Sequence, residues 1–369
     1  MQNKNILLIT LRSDIGGGSK HLNSVFENLR NDFNFYIASP SDEPFGTKWL
    51  KELNDKFFEL PHRKFKILSF IQLIWFIRAN KIKLIHAHGR SAGIYARLLK
   101  ILLPSVKIIF TLHGFHHIET HRRIAKAINI FIEKILSSLT DLFINVSEGE
   151  QKVCLDYGIY DSQKSIVIYN GLKDEFKVYD KISLRKNIGL PEDKFIILNI
   201  SRFDKYKNLT AFIKIASLLN DENEILFILC GDGEEKQKIL SLIKKNNLKN
   251  ILLTGFITDP TDYVAASDIY LSTSLIEGLP YSLLEASMFG LPIVASNVRG
   301  NNEVVIENAN GFLFELNNIS QAVDFILKLK GDTVNYQRIS YNARKVFLDK
   351  FAEQNMIFKL KEVYEKIIL

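Results

Sequence analysis

Short runs of aliphatic and β-branched residues alternate along the chain with longer stretches whose apolar positions recur every three or four residues. In the first half the short runs at 5–10, 35–38, 83–86, 107–112, 142–146 and 165–169 predict strands, and helical spacing fills 18–30, 64–80, 91–102, 121–139 and 149–157 between them. The scheme then restarts, with strands predicted at 195–201, 225–230, 251–255, 269–272 and 293–296. The helices between and after them are predicted at 208–220, 234–246, 260–266, 281–289 and 319–328. Near-continuous apolar strands joined by helices imply parallel sheets covered on both faces. The fold class expected is therefore α/β, with two doubly wound parallel-sheet domains facing across a cleft. The polar stretch YNGLKDEFKVYD, 169–180, suits a linker. Domains are expected over 1–172 and 173–350, with a helix at 351–369 packing back towards the first.

Length and composition agree with this division. A chain of 369 residues, 47% hydrophobic and 24% charged, is long enough for about two globular domains. The two cysteines, Cys154 and Cys230, lie too far apart in sequence to suggest a disulfide framework or a thiolate metal site, so a reducing, cytoplasmic setting is expected. The opening NILLIT reads as a strand rather than a targeting segment. The greasiest stretch, 67–77, is interrupted by Ser69 and Gln72 and falls short of the roughly 20 residues a bilayer span needs.

Charge changes the picture more. Residues 1–172 hold 23 Lys/Arg and 15 Asp/Glu, a net of +8; the remainder holds 25 and 26, a net of −1. All eight histidines also lie in the first half. A basic half points to an anionic partner such as a membrane surface or phosphate, or else to a lysine-rich surface from compositional bias. The helical stretch 121–139 is amphipathic and carries Arg122, Arg123, Lys126 and Lys134, which suits an anionic leaflet as well as it suits a core-packing helix with a solvated basic face. No aromatic-rich basic motif of a nucleic-acid module is present, so nucleic acid is not an expected partner.

Candidate chemistry follows the predicted strands. DIGGGSKHLNSV places Gly16, Gly17 and Gly18 at a strand-to-helix turn where backbone N–H groups can approach a ligand. Its spacing is neither the dinucleotide fingerprint nor a triphosphate P-loop. IIFTLHGFHHIETH ends a strand at His113, followed by His116, His117 and His121. His117 and His121 raise a metal question, but no acids or cysteines at ligand spacing accompany them, and no metal is expected. Taken alone, His113 reads as a satisfied, partly buried histidine. SRFDKYKN sets Arg202 and Lys207 just after a strand and before a helix, a plausible diphosphate cradle. GDGEE and LTGF bring Gly231, Asp232 and Phe256 to rims where a nucleotide base could lie.

In EGLPYSLLEA, Glu277 precedes a turn and Glu285 follows it, with Pro280 suited to the first helical turn. Paired carboxylates serve glycosidases too. A pair straddling a loop-to-helix junction better suits two hydroxyl-bearing parts of one ligand, with Gly278, Leu279, Pro280 and Tyr281 offering backbone to phosphate.

The ordered set of motifs resembles the retaining, nucleotide-sugar-dependent glycosyltransferases of glycosyltransferase family 4, which have the two-domain GT-B fold built of Rossmann-like domains. The resemblance covers Gly16-Gly17-Gly18, HAHG at 86–89, TLHG at 111–114, VIYNGL at 167–172, SRFDKYKN at 201–208, GDGEE at 231–235, LTGF at 253–256 and the Glu277/Glu285 pair. It departs at Tyr169, where the family usually has proline. It implies that Arg202 and Lys207 bind the donor diphosphate, Glu285 the ribose, and Glu277 the transferred sugar with amides of the loop Gly278–Pro280. It further implies His113 beside the sugar, Gly16–Gly18 near phosphate or acceptor, and Gly231, Asp232 and Phe256 along the nucleotide. The implied activity is transfer of a hexose or N-acetylhexosamine from a nucleotide-diphosphate sugar, with UDP the commoner base, to a glycan or polyprenyl-diphosphate-linked acceptor in cell-surface glycan synthesis. No metal or other cofactor is implied. Peripheral attachment to the inner face of the cytoplasmic membrane is expected through the basic half. A nucleotide-sugar epimerase of the same fold is the alternative, ahead of a scaffold with a dead site.

Overall fold

A computed structural model describes residues 4–114 and 123–368. By its internal contacts the chain divides into two units, Met1–Gly171 with Glu353–Leu369, and Leu172–Ala352.

The first unit is built on seven strands: β1 (Asn5–Thr10), β2 (Asn34–Ser39), β3 (Phe57–Glu59), β4 (Leu84–His88), β5 (Lys107–Thr111), β6 (Leu142–Asn145) and β7 (Ser165–Val167). They form one parallel sheet in the order β3-β2-β1-β4-β5-β6-β7. Successive side chains of a strand point to opposite faces. Leu7, Ile9, Ile85, Ala87, Ile108 and Phe110 therefore pack into one apolar layer with helices Ile67–Ala79 and Arg90–Leu102. Ile6, Leu8, Leu84, Ile109 and Ile144 pack into the other with helices Gly17–Leu29 and Glu353–Ile368. That double coverage is why the strands read as unbroken apolar runs. The last helix inserts Met356, Leu360 and Tyr364, one face at a spacing of four, and Lys361 bonds Asp32 at 2.5 Å.

The second unit repeats the plan with β8 (Phe195–Ile200), β9 (Ile225–Cys230), β10 (Ile251–Gly255), β11 (Ile269–Ser272), β12 (Ile293–Ser296) and β13 (Gly311–Phe314), in the order β10-β9-β8-β11-β12-β13. In both sheets the winding reverses beside the first strand, at β1/β4 and at β8/β11. The carboxyl ends of strands at such a reversal are the usual ligand position in open α/β sheets.

Candidate active site

In the second unit the two loops at the β8/β11 reversal are stitched together. The Thr273 hydroxyl donates to the carbonyls of Lys207 and Asn208 at 3.0 and 3.2 Å, and the Leu275 amide donates to Tyr206 at 2.7 Å. Across this seam Lys207 Nζ donates to Glu277 Oε1 at 2.5 Å, and the Ser274 hydroxyl donates to the same oxygen at 2.7 Å. Glu277 is nearly buried, so both partners offset the loss of its water.

Arg202 is 59% exposed and forks onto Asp204, Nε at 2.7 Å and Nη2 at 2.5 Å from the same carboxylate oxygen. Asp204 is buried and also accepts from the amides of Tyr206 and Lys207 at 2.9 and 3.3 Å. It thus caps the short turn Lys205–Lys207 and aims Arg202 at once. Asp204 is not among the candidates expected from sequence, although Arg-x-Asp just after a strand is the signal that could have found it.

Glu285 lies on the helix Tyr281–Met288, whose first turn has no side-chain cap. Pro280 is its N-cap, with extended ψ of 119°, and not a residue of the first turn as the sequence suggested. Proline fixes φ but leaves ψ free, so the same residue fits either position. Tyr270, buried beneath, has its phenol pushed up by burial and further by the carboxylates of Glu285 and Glu277. Both acids therefore stand near one phenol.

The chain around Glu277 and Gly278 is pinned by Gly300. At φ +84° a Cβ there would lie 2.7 Å from the Gly278 carbonyl oxygen and 2.8 Å from Glu277 Cβ. The Glu277 amide also donates to Arg299 O at 3.2 Å. Gly231 has the same role at the neighbouring rim: a Cβ would stand 1.9 Å from the Ser201 carbonyl oxygen. Next to it Asp232 accepts from Lys236 at 2.6 Å, a hydrogen bond that lowers its pKa. Phe256, after β10, is an exposed aromatic face.

In the first unit the strand ends bring other predicted residues together. Gly16 is the N-cap of the helix Gly17–Leu29, which starts without a side-chain cap, and a Cβ at Gly18 would touch the His113 ring at 3.6 Å. His113 follows β5 at φ +59° and lies 3.1 Å, Nε2 to Nδ1, from His88 at the end of β4. His21, on the helix, meets the His113 ring edge-on at 4.8 Å between centroids and pairs with Asn170 at 3.1 Å. His86 joins Tyr364 and Thr111 at 2.6 and 2.8 Å. His113 was expected from sequence; its grouping with His88 and His21, which joins β4, β5 and a helix, was not.

Burial pushes the His21 imidazole down to about 4. It lowers His86, His88 and His113 well below the ordinary range, and neighbouring histidines add to the effect. These rings are neutral near pH 7. The ligand atoms of His21, His88 and His113 lie within 4.8 Å of one another. His21 Nε2 and His88 Nε2 are buried without a hydrogen-bond partner among the described residues, and His113 is the most exposed ring of the three. His116, His117, His121 and Arg122 lie outside the described residues.

Comparison with known proteins agrees with these two units. Residues 15–176 match the family model "Glycosyltransferase Family 4" and residues 180–346 match "Glycosyl transferases group 1". The chain is 29% identical over 313 residues to the UDP-Gal:alpha-D-GlcNAc-diphosphoundecaprenol alpha-1,3-galactosyltransferase of Escherichia coli, covering 82% of this chain and 80% of that one. It is 23% identical over 291 residues to the Escherichia coli O-antigen biosynthesis glycosyltransferase WclY, covering 78% and 80%. The crystal structure of Anabaena Alr3699/HepE in complex with UDP and glucose superposes with a TM-score of 0.86 over 98% of this chain and 100% of that one, at 20% identity. The two family matches together span most of the sequence, and the chain belongs to glycosyltransferase family 4, with the α/β architecture of the GT-B type.

Proposed function

We propose that this chain is a retaining, metal-independent hexosyltransferase. It moves a hexose or N-acetylhexosamine from a UDP-linked donor to a glycan or polyprenyl-diphosphate-linked sugar in cell-surface polysaccharide synthesis. The observation that carries this reading is the pair of cations at the β8/β11 reversal, each oriented by one carboxylate. Lys207 uses one of its three donors on Glu277, and Arg202 uses Nε and Nη2 on Asp204. Further N–H groups on both remain to meet a diphosphate. Such fixed positive charge stabilises a departing phosphate without a metal ion. The Escherichia coli galactosyltransferase, named for a UDP-sugar donor and a diphosphoundecaprenol-linked acceptor, supports both substrate classes.

Roles follow by chemistry. Glu285 accepts from the ribose hydroxyls, Phe256 lies against the base with Gly231 and Asp232, and Gly278, Leu279 and Pro280 line the phosphates. Glu277 contacts the transferred sugar. The departing phosphate oxygen takes the acceptor proton, so no enzymic nucleophile is used. The acceptor's lipid places the work at an anionic membrane surface, which the basic first half suits.

The test is transfer from a UDP-hexose to a prenyl-diphosphate-linked sugar in the presence of EDTA, with the new linkage read by NMR. Retention of the donor's α configuration is expected. A β linkage, loss of transfer in EDTA, or an altered free sugar formed without acceptor, as an epimerase would give, contradicts the reading.

A further inference from the structure

The helix Ile67–Ala79 is greasy on the wrong side. Its inner face sends Leu73, Ile74 and Ile77 into the apolar layer over the first sheet, as expected. Its outer face carries Ile67, Leu68, Ile71 and Trp75, which are 70, 67, 46 and 66% exposed. The only uncharged polar residue exposed with them is Gln72. An ordinary surface helix sets polar residues on that side.

The neighbouring helices continue the pattern. Arg90–Leu102 packs beside it through Tyr95, whose ring lies 4.6 Å from Phe65 and whose hydroxyl accepts from the Lys66 amide at 2.9 Å. That helix ends in exposed Ile101 and Leu102. Helix Arg123–Ser137 is tied to it by the buried Arg97–Glu133 pair at 2.6 Å, and exposes Ile124, Ile128, Phe131 and Ile135. All three helices cover the same face of the sheet.

Charge says what covers this apolar layer. Residues 61–140 hold 14 Lys/Arg and two Asp/Glu, a net of +12 in a chain whose total is +7. Of the two acids, Glu133 is buried against Arg97 and Glu119 lies outside the described residues. Exposed Arg63, Lys64 and Lys66 precede the 67–79 helix, and Arg78 and Lys81 close it. Protein interfaces are depleted in lysine. An apolar strip with cations at both ends fits a bilayer interface, where aliphatic and indole groups enter the acyl boundary and Lys/Arg heads reach anionic headgroups. Thirteen residues span about 20 Å, too short to cross. Among the described residues no helix is long and apolar enough to do so.

We infer that the 67–79 helix lies in the plane of an anionic membrane with Ile67, Leu68, Ile71 and Trp75 inserted, so that the first unit is held by burial of apolar side chains as well as by charge. The surface is independent of the donor reading.

Tryptophan fluorescence tests it directly. Trp49 is fully buried on the opposite side of the sheet and serves as an internal reference for Trp75. Full-length protein is mixed with phosphatidylethanolamine/phosphatidylglycerol vesicles whose acyl chains are brominated or not. Quenching by the brominated chains is expected, and Trp75→Phe removes it while vesicle binding persists. The double variant Leu68→Glu/Trp75→Glu partitions roughly tenfold or more less strongly. Sedimentation with vesicles without quenching would mean attachment by charge alone and overturns the inference. So does no vesicle binding, or a dimer in solution that Trp75→Glu dissociates. UDP-induced thermal shift is unchanged in these variants, so failure at the membrane leaves the donor reading standing, and the reverse.

Discussion

Lys207 Nζ stands 2.5 Å from Glu277 Oε1, joining the loop after β8 to the loop after β11 at the point where the sheet reverses its winding. Seventy residues of chain separate the two. One contact thus holds together the cation proposed to bind phosphate and the carboxylate proposed to meet the sugar, and the proposed chemistry depends on their staying paired.

Lys207→Ala is expected to lower transfer by roughly a hundredfold or more, the scale of losing one fixed charge at a departing anion. It leaves Glu277 short of its cation, so stability falls by about 1–3 kcal/mol. Adding Glu277→Gln restores stability without restoring transfer. Initial rates and urea unfolding of both variants check this; recovery of transfer in the double variant contradicts a donor role for Lys207.

Gly300→Ala drives a methyl group against the Gly278 carbonyl oxygen and the Glu277 side chain at a backbone conformation that disfavours alanine. A loss of about 1–3 kcal/mol is expected, with a raised donor KM because Glu277 and Gly278 move. Unfolding midpoints and steady-state rates matching the parent would show that neither residue needs this close approach.

Stability should fall on acidification through the histidine network. Burial holds His21 at about 4, against 6.5 for an unfolded histidine. Between those values the unfolded chain binds more protons, so the folded state loses stability as pH falls from about 6.5 towards 4 and keeps it above 6.5. His86, His88 and His113 are shifted the same way. His21 alone accounts for on the order of 3 kcal/mol. Urea unfolding across this range should show the slope, and His21→Gln should flatten it; identical slopes contradict the assignment.

Most strands were legible because each is buried on two faces and reads as an apolar run. β3 and β13 were not. The first is three residues at a sheet edge, and the second opens on Gly311, which in sequence signals a turn. Here that glycine permits close strand contact, since a Cβ would lie 2.1 Å from the Ile293 carbonyl oxygen. Candidate site residues were legible where they follow strands, as Arg202 and Glu277 do. Asp204, Gly300 and the His21–His88–His113 grouping were missed, because their significance lies in contacts between segments far apart in sequence. The 67–77 run was legible as apolar and too short to span; which of its faces looks outward required the packing of three helices.

The most direct measurement is calorimetric titration of UDP into the parent chain and into Arg202→Ala/Lys207→Ala, both in EDTA. The parent should bind without metal, and the double variant should bind roughly a hundredfold more weakly, as expected for two lost charge-assisted hydrogen bonds. Equal affinities would show that these cations do not hold the diphosphate, and would contradict the account.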